Sequence, residues 1–143
     1  MIKVLIVDDY EDWRRTVREM IQRLPELQVI CEVSDGLQAV QKAGELKPDL
    51  IVLDIGLPQL NGIEAARQIR QLSPSSKIVV LSQDNSVEVV ETALNTGVQA
   101  YVYKTDVGSD LLPAIEAVIR GKQFVSRSLK RMRRFASNNS ATI

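Results

Sequence analysis

Short apolar runs in this chain end, one after another, in a side chain that can do chemistry. Lys3-Val4-Leu5-Ile6-Val7 is followed by Asp8 and Asp9, Leu50-Ile51-Val52-Leu53 by Asp54, and Ala100-Tyr101-Val102-Tyr103 by Lys104. In a parallel α/β sheet the carboxyl ends of the strands lie along one edge, where crevices at a reversal of strand order bind ligands. Three carboxylates and an ammonium meeting at that edge describe a phosphoryl-accepting, magnesium-dependent pocket.

Five apolar, β-branched runs, residues 3–7, 28–33, 50–53, 77–81 and 99–103, read as strands. They alternate with helical patterns near 11–24, 36–46, 61–72, 86–96 and 109–121. Strands covered by helices on both faces are almost continuously apolar, as Ile51-Val52-Leu53 and Ile78-Val79-Val80-Leu81 are, whereas the second strand is the least pure. Val17, Met20, Ile21 and Leu24 recur at helical spacing before Pro25 stops the first helix, and Gly97 stands where a left-handed cap ends the fourth. An interior proline costs about 3 kcal/mol, which predicts a fifth helix starting near Ser109 with Pro113 in its opening turn; a kink is the alternative. With right-handed crossovers the expected fold is α/β, a doubly wound five-stranded parallel sheet in the order 2-1-3-4-5. The reversal then falls between strands 1 and 3, beside Asp8, Asp9 and Asp54.

A chain of 143 residues with 45% apolar and 25% charged side chains is the size and make-up of one soluble domain with a short tail. The division expected is a domain over 1–126 and a basic tail over 127–143. In that tail a short helix from about Arg127 carries Leu129, Met132 and Phe135 or Ala136 as a narrow stripe, and Ser137-Asn138-Asn139-Ser140 reads as disordered. Zero formal charge hides an asymmetry: the 18 acids all precede residue 117, and the last seven basic residues follow it. The single cysteine, Cys31, can form no internal disulfide and reads as a small buried hydrophobe. No apolar stretch reaches the roughly 18 residues of a membrane span, so the expectation is a cytoplasmic protein without membrane contact. Histidine is absent, which removes serine triads, histidine-ligated zinc and any histidine phosphoryl donor from this chain.

Ionised at neutral pH, an aspartate can attack phosphorus without a general base, giving an aspartyl phosphate, provided that charge is compensated. Magnesium is commonly held by one or two carboxylates, waters and phosphate oxygens. Asp9 and Asp54 could ligate it directly, Asp8 through water, and a carbonyl just beyond Asp54, such as that of Gly56, could complete the set. Lys104 is placed to neutralise the transferring group, and Ser82, closing strand 4, to donate a hydroxyl hydrogen bond. Singly, each has a plainer role: Asp8 or Asp9 as a helix cap, Asp54 as a turn residue, Lys104 as a solvated lysine. Their conjunction carries the reading.

Asp8-Asp9, the run Asp54-Ile55-Gly56-Leu57-Pro58-Gln59-Leu60-Asn61-Gly62, Leu81-Ser82 and Tyr101-Val102-Tyr103-Lys104 together resemble the receiver domain of bacterial two-component response regulators. The resemblance covers roughly 1–126 and implies a flavodoxin-like (βα)5 fold, with Asp54 as phosphoacceptor, Mg2+ as the required ion and a histidine kinase or histidine phosphotransfer protein as donor. By matching position it makes Ser82 and Tyr101 the switch pair, Tyr101 also having the plain role of half-buried strand packing. Such a domain supports its own phosphorylation and dephosphorylation, with no turnover of an external substrate. Gly97-Val98-Gln99-Ala100-Tyr101 and the Gly121 to Ser126 ending look most like the NarL/LuxR-type subclass, which usually continues into a helix-turn-helix output domain. The residues after Ser126 are too few for that module, so the expectation is a receiver lacking it. The alternative is the regulatory half of a truncated DNA-binding transcriptional regulator.

Departures from the family pattern are Thr105 where proline is common, Gly56 over the phosphoryl site, and Asp84 two residues beyond Ser82. Trp13, early in the first helix, has a packing role and lies near enough to report on the site. An Asp-nucleophile phosphatase is disfavoured because such enzymes place Asp-x-Asp after strand 1, and nucleotide-binding glycine motifs are absent. The basic tail lacks an aromatic platform or reading helix, so nucleic acid is not expected as a partner of this chain alone. A second copy of the chain, in a homodimer, is a candidate partner.

Overall fold

The computed structural model describes residues 1–130. Its elements are β1 (Ile2–Val7), α1 (Glu11–Ile21), β2 (Leu27–Val33), α2 (Gly36–Leu46), β3 (Leu50–Leu53), α3 (Gly62–Leu72), β4 (Lys77–Ser82), α4 (Val87–Asn95), β5 (Ala100–Tyr103), a 3₁₀ turn (Lys104–Asp106), α5 (Val107–Ile119) and β6 (Phe124–Val125). All strand pairs are parallel, and the sheet order is β2-β1-β3-β4-β5-β6. The expected order of the first five strands is therefore present. The sixth, two residues long, was not anticipated: Phe124 pairs with Ala100 and Val125 with Tyr101. Two residues are too few for a period-two pattern to show in sequence.

Alternation along each strand divides the apolar residues between two cores. Val4, Ile6, Leu50, Val52, Val79 and Leu81 face the side covered by α1 and α5. Leu5, Val7, Ile51, Leu53, Ile78 and Val80 face the side covered by α2, α3 and α4. Central strands β1, β3 and β4 are consequently buried on both faces, and β2, an edge strand with a register shift opposite Val4 and Leu5, is mixed. This is why its sequence reads as the least pure.

Helix ends follow local chemistry. Asp35, Asn61 and Ser86 cap α2, α3 and α4 by accepting from Gln38, Glu64 and Val89 N–H groups. Gly97 takes the left-handed conformation after α4 at φ 96°. Two boundaries differ from expectation. α1 ends at Ile21 rather than near Leu24, because Arg23 and Leu24 already bond i−3 carbonyls as the chain tightens ahead of Pro25. α5 begins at Val107, directly from the 3₁₀ turn, so Pro113 lies beyond the opening turn. Its ring sits on the exposed side of the helix, where the lost N–H removes only the bond to the Ser109 carbonyl. Cys31 is half-buried rather than buried, as befits the edge strand.

Beyond β6, residues 127–130 start the expected helix, and Leu129 is buried in the core that also holds α4 residues. The expected positions Met132, Phe135 and Ala136 and the Ser137 to Ser140 run lie outside the described residues. No helix among the described residues is long and apolar enough to cross a membrane.

Two glycines hold the loop that carries Asp54. A Cβ at Gly62 would fall 2.3 Å from the Ile55 Cα and 2.4 Å from the Asp54 carbonyl oxygen, and one at Gly36 1.8 Å from the Leu60 carbonyl oxygen. Gly62→Ala or Gly36→Ala is expected to cost about 1–3 kcal/mol, read as a lower urea midpoint. Gly108→Ala, with nothing within 4 Å, should leave the midpoint unchanged or raise it.

Candidate functional site

Backbone pairing brings the strand ends together before any side chain is considered. The Asp54 N–H donates to the Val7 carbonyl at 3.0 Å and the Asp8 N–H to the Val33 carbonyl at 3.2 Å. Loops following β1 and β3 therefore leave the sheet side by side. One carboxylate oxygen from each of Asp8, Asp9 and Asp54 lies within 4.8 Å of the others, Asp8 and Asp54 buried and Asp9 exposed. Neither Asp8 nor Asp9 caps α1: the N-cap is Tyr10, without a side-chain cap bond. Asp8 Oδ1 instead accepts from the Tyr10 N–H at 3.0 Å.

Lys104, reached through β5, completes the cluster. Its Nζ lies 2.7 Å from Asp8 Oδ2 and 3.4 Å from Asp54 Oδ2, and its side chain is 4% exposed. The ammonium also stands over the Trp13 ring, 4.6 Å from its centre. Asp54 Oδ1 accepts from the Gly56 N–H at 3.0 Å. Burial pushes the Asp54 carboxyl above the usual carboxylate range, against the Gly56 N–H and Lys104, with Asp8 adding to the rise. Each carboxylate oxygen can accept two hydrogen bonds or ligate a cation. Asp8 and Asp54 each present one protein donor per oxygen in these contacts, which leaves lone pairs for a metal. The donor set is all oxygen and suits a hard divalent ion.

An open cleft of about 700 Å³ lies over this cluster, lined by Asp9, Asp54, Gly56, Ser82, Asp84 and Lys104 among others. Ser82 is 2% exposed, and its Oγ accepts from the Asp84 N–H at 3.0 Å. Tyr101 is fully buried, not half-buried as the strand pattern suggests. Its hydroxyl donates to the Asp84 carbonyl at 2.7 Å. Burial pushes its phenol up to about 12, with Ser82 opposing and the acids Asp84 and Asp54 assisting.

The structure thus gathers Asp8, Asp9, Asp54, Lys104, Ser82 and Gly56 at one edge, with Tyr101 behind them. Gly56 enters through its N–H, whereas sequence reasoning named its carbonyl. Missed altogether were Arg14, whose guanidinium donates to the Asp8 carbonyl at 2.7 Å, and the seat of Asp84 between Ser82 and Tyr101. Trp13 was placed near the site but not over the ammonium. A helix period starting at Glu11 puts positions 13 and 14 in the first turn, the one signal that could have found both.

The family model for the response regulator receiver domain matches residues 4–116. The nitrate/nitrite response regulator protein NarL of Escherichia coli is 37% identical over 126 residues, which are 88% of this chain and 58% of that protein. The response regulator protein VraR of Staphylococcus aureus is 35% identical over 133 residues, 92% of this chain and 64% of that protein. The chain spans about 60% of the length of these relatives. Among solved structures, a LuxR-family two-component response regulator from Aurantimonas superposes with a TM-score of 0.90 at 30% identity, covering 94% of this chain and 96% of that one. On the matched family model, the relatives and the shared parallel fold, this chain belongs to the response regulator receiver domains.

Proposed function

We propose that the chain is a phosphorylation-controlled switch in which Asp54 accepts a phosphoryl group from a histidine kinase or a histidine phosphotransfer protein. The observation that carries this reading is the buried Asp54 carboxylate, 3.4 Å from the Lys104 ammonium and grouped with Asp8 and Asp9 at the mouth of an open cleft. Asp9 and Asp54 would hold Mg2+ directly, with Asp8 acting through water and the Gly56 carbonyl completing the set. Bound there, the ion offsets negative charge on the carboxylates and the transferring group. Asp54 attacks phosphorus, and the electron pair of the breaking bond leaves with the donor's imidazole nitrogen. Lys104 and Ser82 meet phosphoryl oxygens, and the Gly56 N–H holds the acceptor carboxylate in orientation.

Ser82 and Tyr101 form the switch, joined through Asp84, which donates its N–H to one and accepts the hydroxyl of the other. A Ser82 hydroxyl drawn toward a phosphoryl oxygen shifts Asp84, and Tyr101 follows. The phosphorylated surface serves a protein partner, including a second copy of the chain, in the cytoplasm. No external substrate is turned over. The functional unit is the receiver over 1–126, followed in sequence by the basic tail 127–143.

Incubation with acetyl phosphate and magnesium is expected to label the wild type and to leave Asp54→Asn unlabelled; persistent labelling of that variant rejects the acceptor. Magnesium should raise the melting temperature of the wild type, by the few degrees that ligation of the native state alone produces, and less in Asp9→Asn. An equal rise in both removes Asp9 from the ligand set.

The charge state of Asp54 carries a stability signature. Because folding raises its pKa, the native chain binds more protons than the unfolded one between the ordinary and the raised value. Stability from this group is lost as pH rises through that window. Without divalent ions, Asp54→Asn is expected to melt a few degrees above the wild type at pH 7, with the gap closing as pH falls below the ordinary carboxylate value. Identical melting of the two proteins at pH 7 contradicts a cost for burying this carboxylate.

A further inference from the structure

We infer that Trp13 is a positioning residue for phosphoryl transfer, its indole face setting where the Lys104 ammonium stands. The inference rests on Asp54 being the phosphoacceptor. A lysine ammonium has three N–H donors and no acceptor. Two of its sides are taken by Asp8, at 2.7 Å, and Asp54, at 3.4 Å, and the ring of Trp13 stands 4.6 Å from it. With its side chain only 4% exposed, the ammonium is largely desolvated. An aromatic face attracts such a cation through its quadrupole, more strongly when the cation is desolvated, and indole is the best of the natural rings at it.

The kind of partner matters as much as the attraction. A third carboxylate or amide would fix a third N–H in a directional bond and draw the ammonium away from Asp54. The ring holds it without such a bond, so the ammonium can turn toward an oxygen arriving at Asp54. Trp13 does not line the cleft over Asp54, whereas Lys104 does; the ring supports the ammonium without obstructing the donor's approach. Its own place is fixed by the first turn of α1, where the adjacent Arg14 donates to the Asp8 carbonyl at 2.7 Å. Ring, acid and ammonium are therefore joined in one cluster.

The chain holds a single tryptophan, so fluorinated tryptophans report on position 13 alone. Mono- to tetrafluoro-indoles nearly keep the shape of the ring while progressively emptying its face of negative charge. The rate of Asp54 labelling by acetyl phosphate at saturating magnesium is expected to fall stepwise along the series, by about threefold to tenfold in total. Melting temperature should fall only modestly, as weakening one cation–π contact allows, with the protein still folded at the assay temperature. Trp13→Phe should fall between wild type and Trp13→Leu in rate, and where Trp13→Leu fails to fold the fluorinated series still decides. Equal or rising rates along the series overturn the role of the ring while leaving Asp54 as acceptor. No labelling of Asp54 in the unsubstituted chain overturns both.

Discussion

One ammonium holds the working edge of this molecule together. Two buried carboxylates at the ends of neighbouring strands repel each other, and at an effective dielectric near 20 unit charges about 4 Å apart do so by about 4 kcal/mol. Lys104 lies between Asp8 and Asp54 and turns that repulsion into two attractions. Removing it would leave two buried acids uncompensated, the costly half of a buried ion pair. The sheet brings the three chain segments together, but the charge balance decides that they can stay there. The same balance keeps Asp54 poised, since burial raises its pKa while Gly56 and Lys104 pull it down.

Much of this was legible because it depends on period and position. Near-continuous apolar runs such as Ile51-Val52-Leu53 demand cover on both faces, and strand-end residues of a parallel sheet must share an edge. Asp8, Asp9, Asp54, Ser82 and Lys104 were therefore placed on one rim by topology alone. The departures have a common physical source. Pro113 was read by its intrinsic cost, yet on the solvent side of α5 that cost is one hydrogen bond, which packing of Leu111, Ala114, Ile115 and Val118 outweighs. Strand β6 carries no pattern, because its existence follows from the free edge of β5 and not from its own two residues.

Side-chain direction was the other missing layer. Tyr101 alternates with Val102 and so must face one core, and Val125, its register partner on β6, and Leu129 come from late in the chain to join its cluster. Ser126 strengthens that arrival, donating its N–H to the Tyr101 carbonyl and accepting from the Tyr103 N–H through its hydroxyl. Asp84, exposed and unremarkable as a loop acid, matters through its backbone: its N–H and carbonyl engage Ser82 and Tyr101. Main-chain roles of this kind leave no mark on residue identity.

The shortness of β6 bears on how the molecule coexists with its neighbours at high concentration. A parallel sheet ending on a bare β5 would present a row of unsatisfied amides and carbonyls, a template on which another chain's strand could grow. Two residues of β6 occupy that template, and the chain then coils away at residue 127 before a new template of useful length can form. At the opposite margin, β2 carries the mixed residues Gln28 and Glu32 and an irregular register against β1, which suits it poorly to recruitment. Both rims are thus guarded against edge-to-edge aggregation, one by a stub and the other by charge and irregularity.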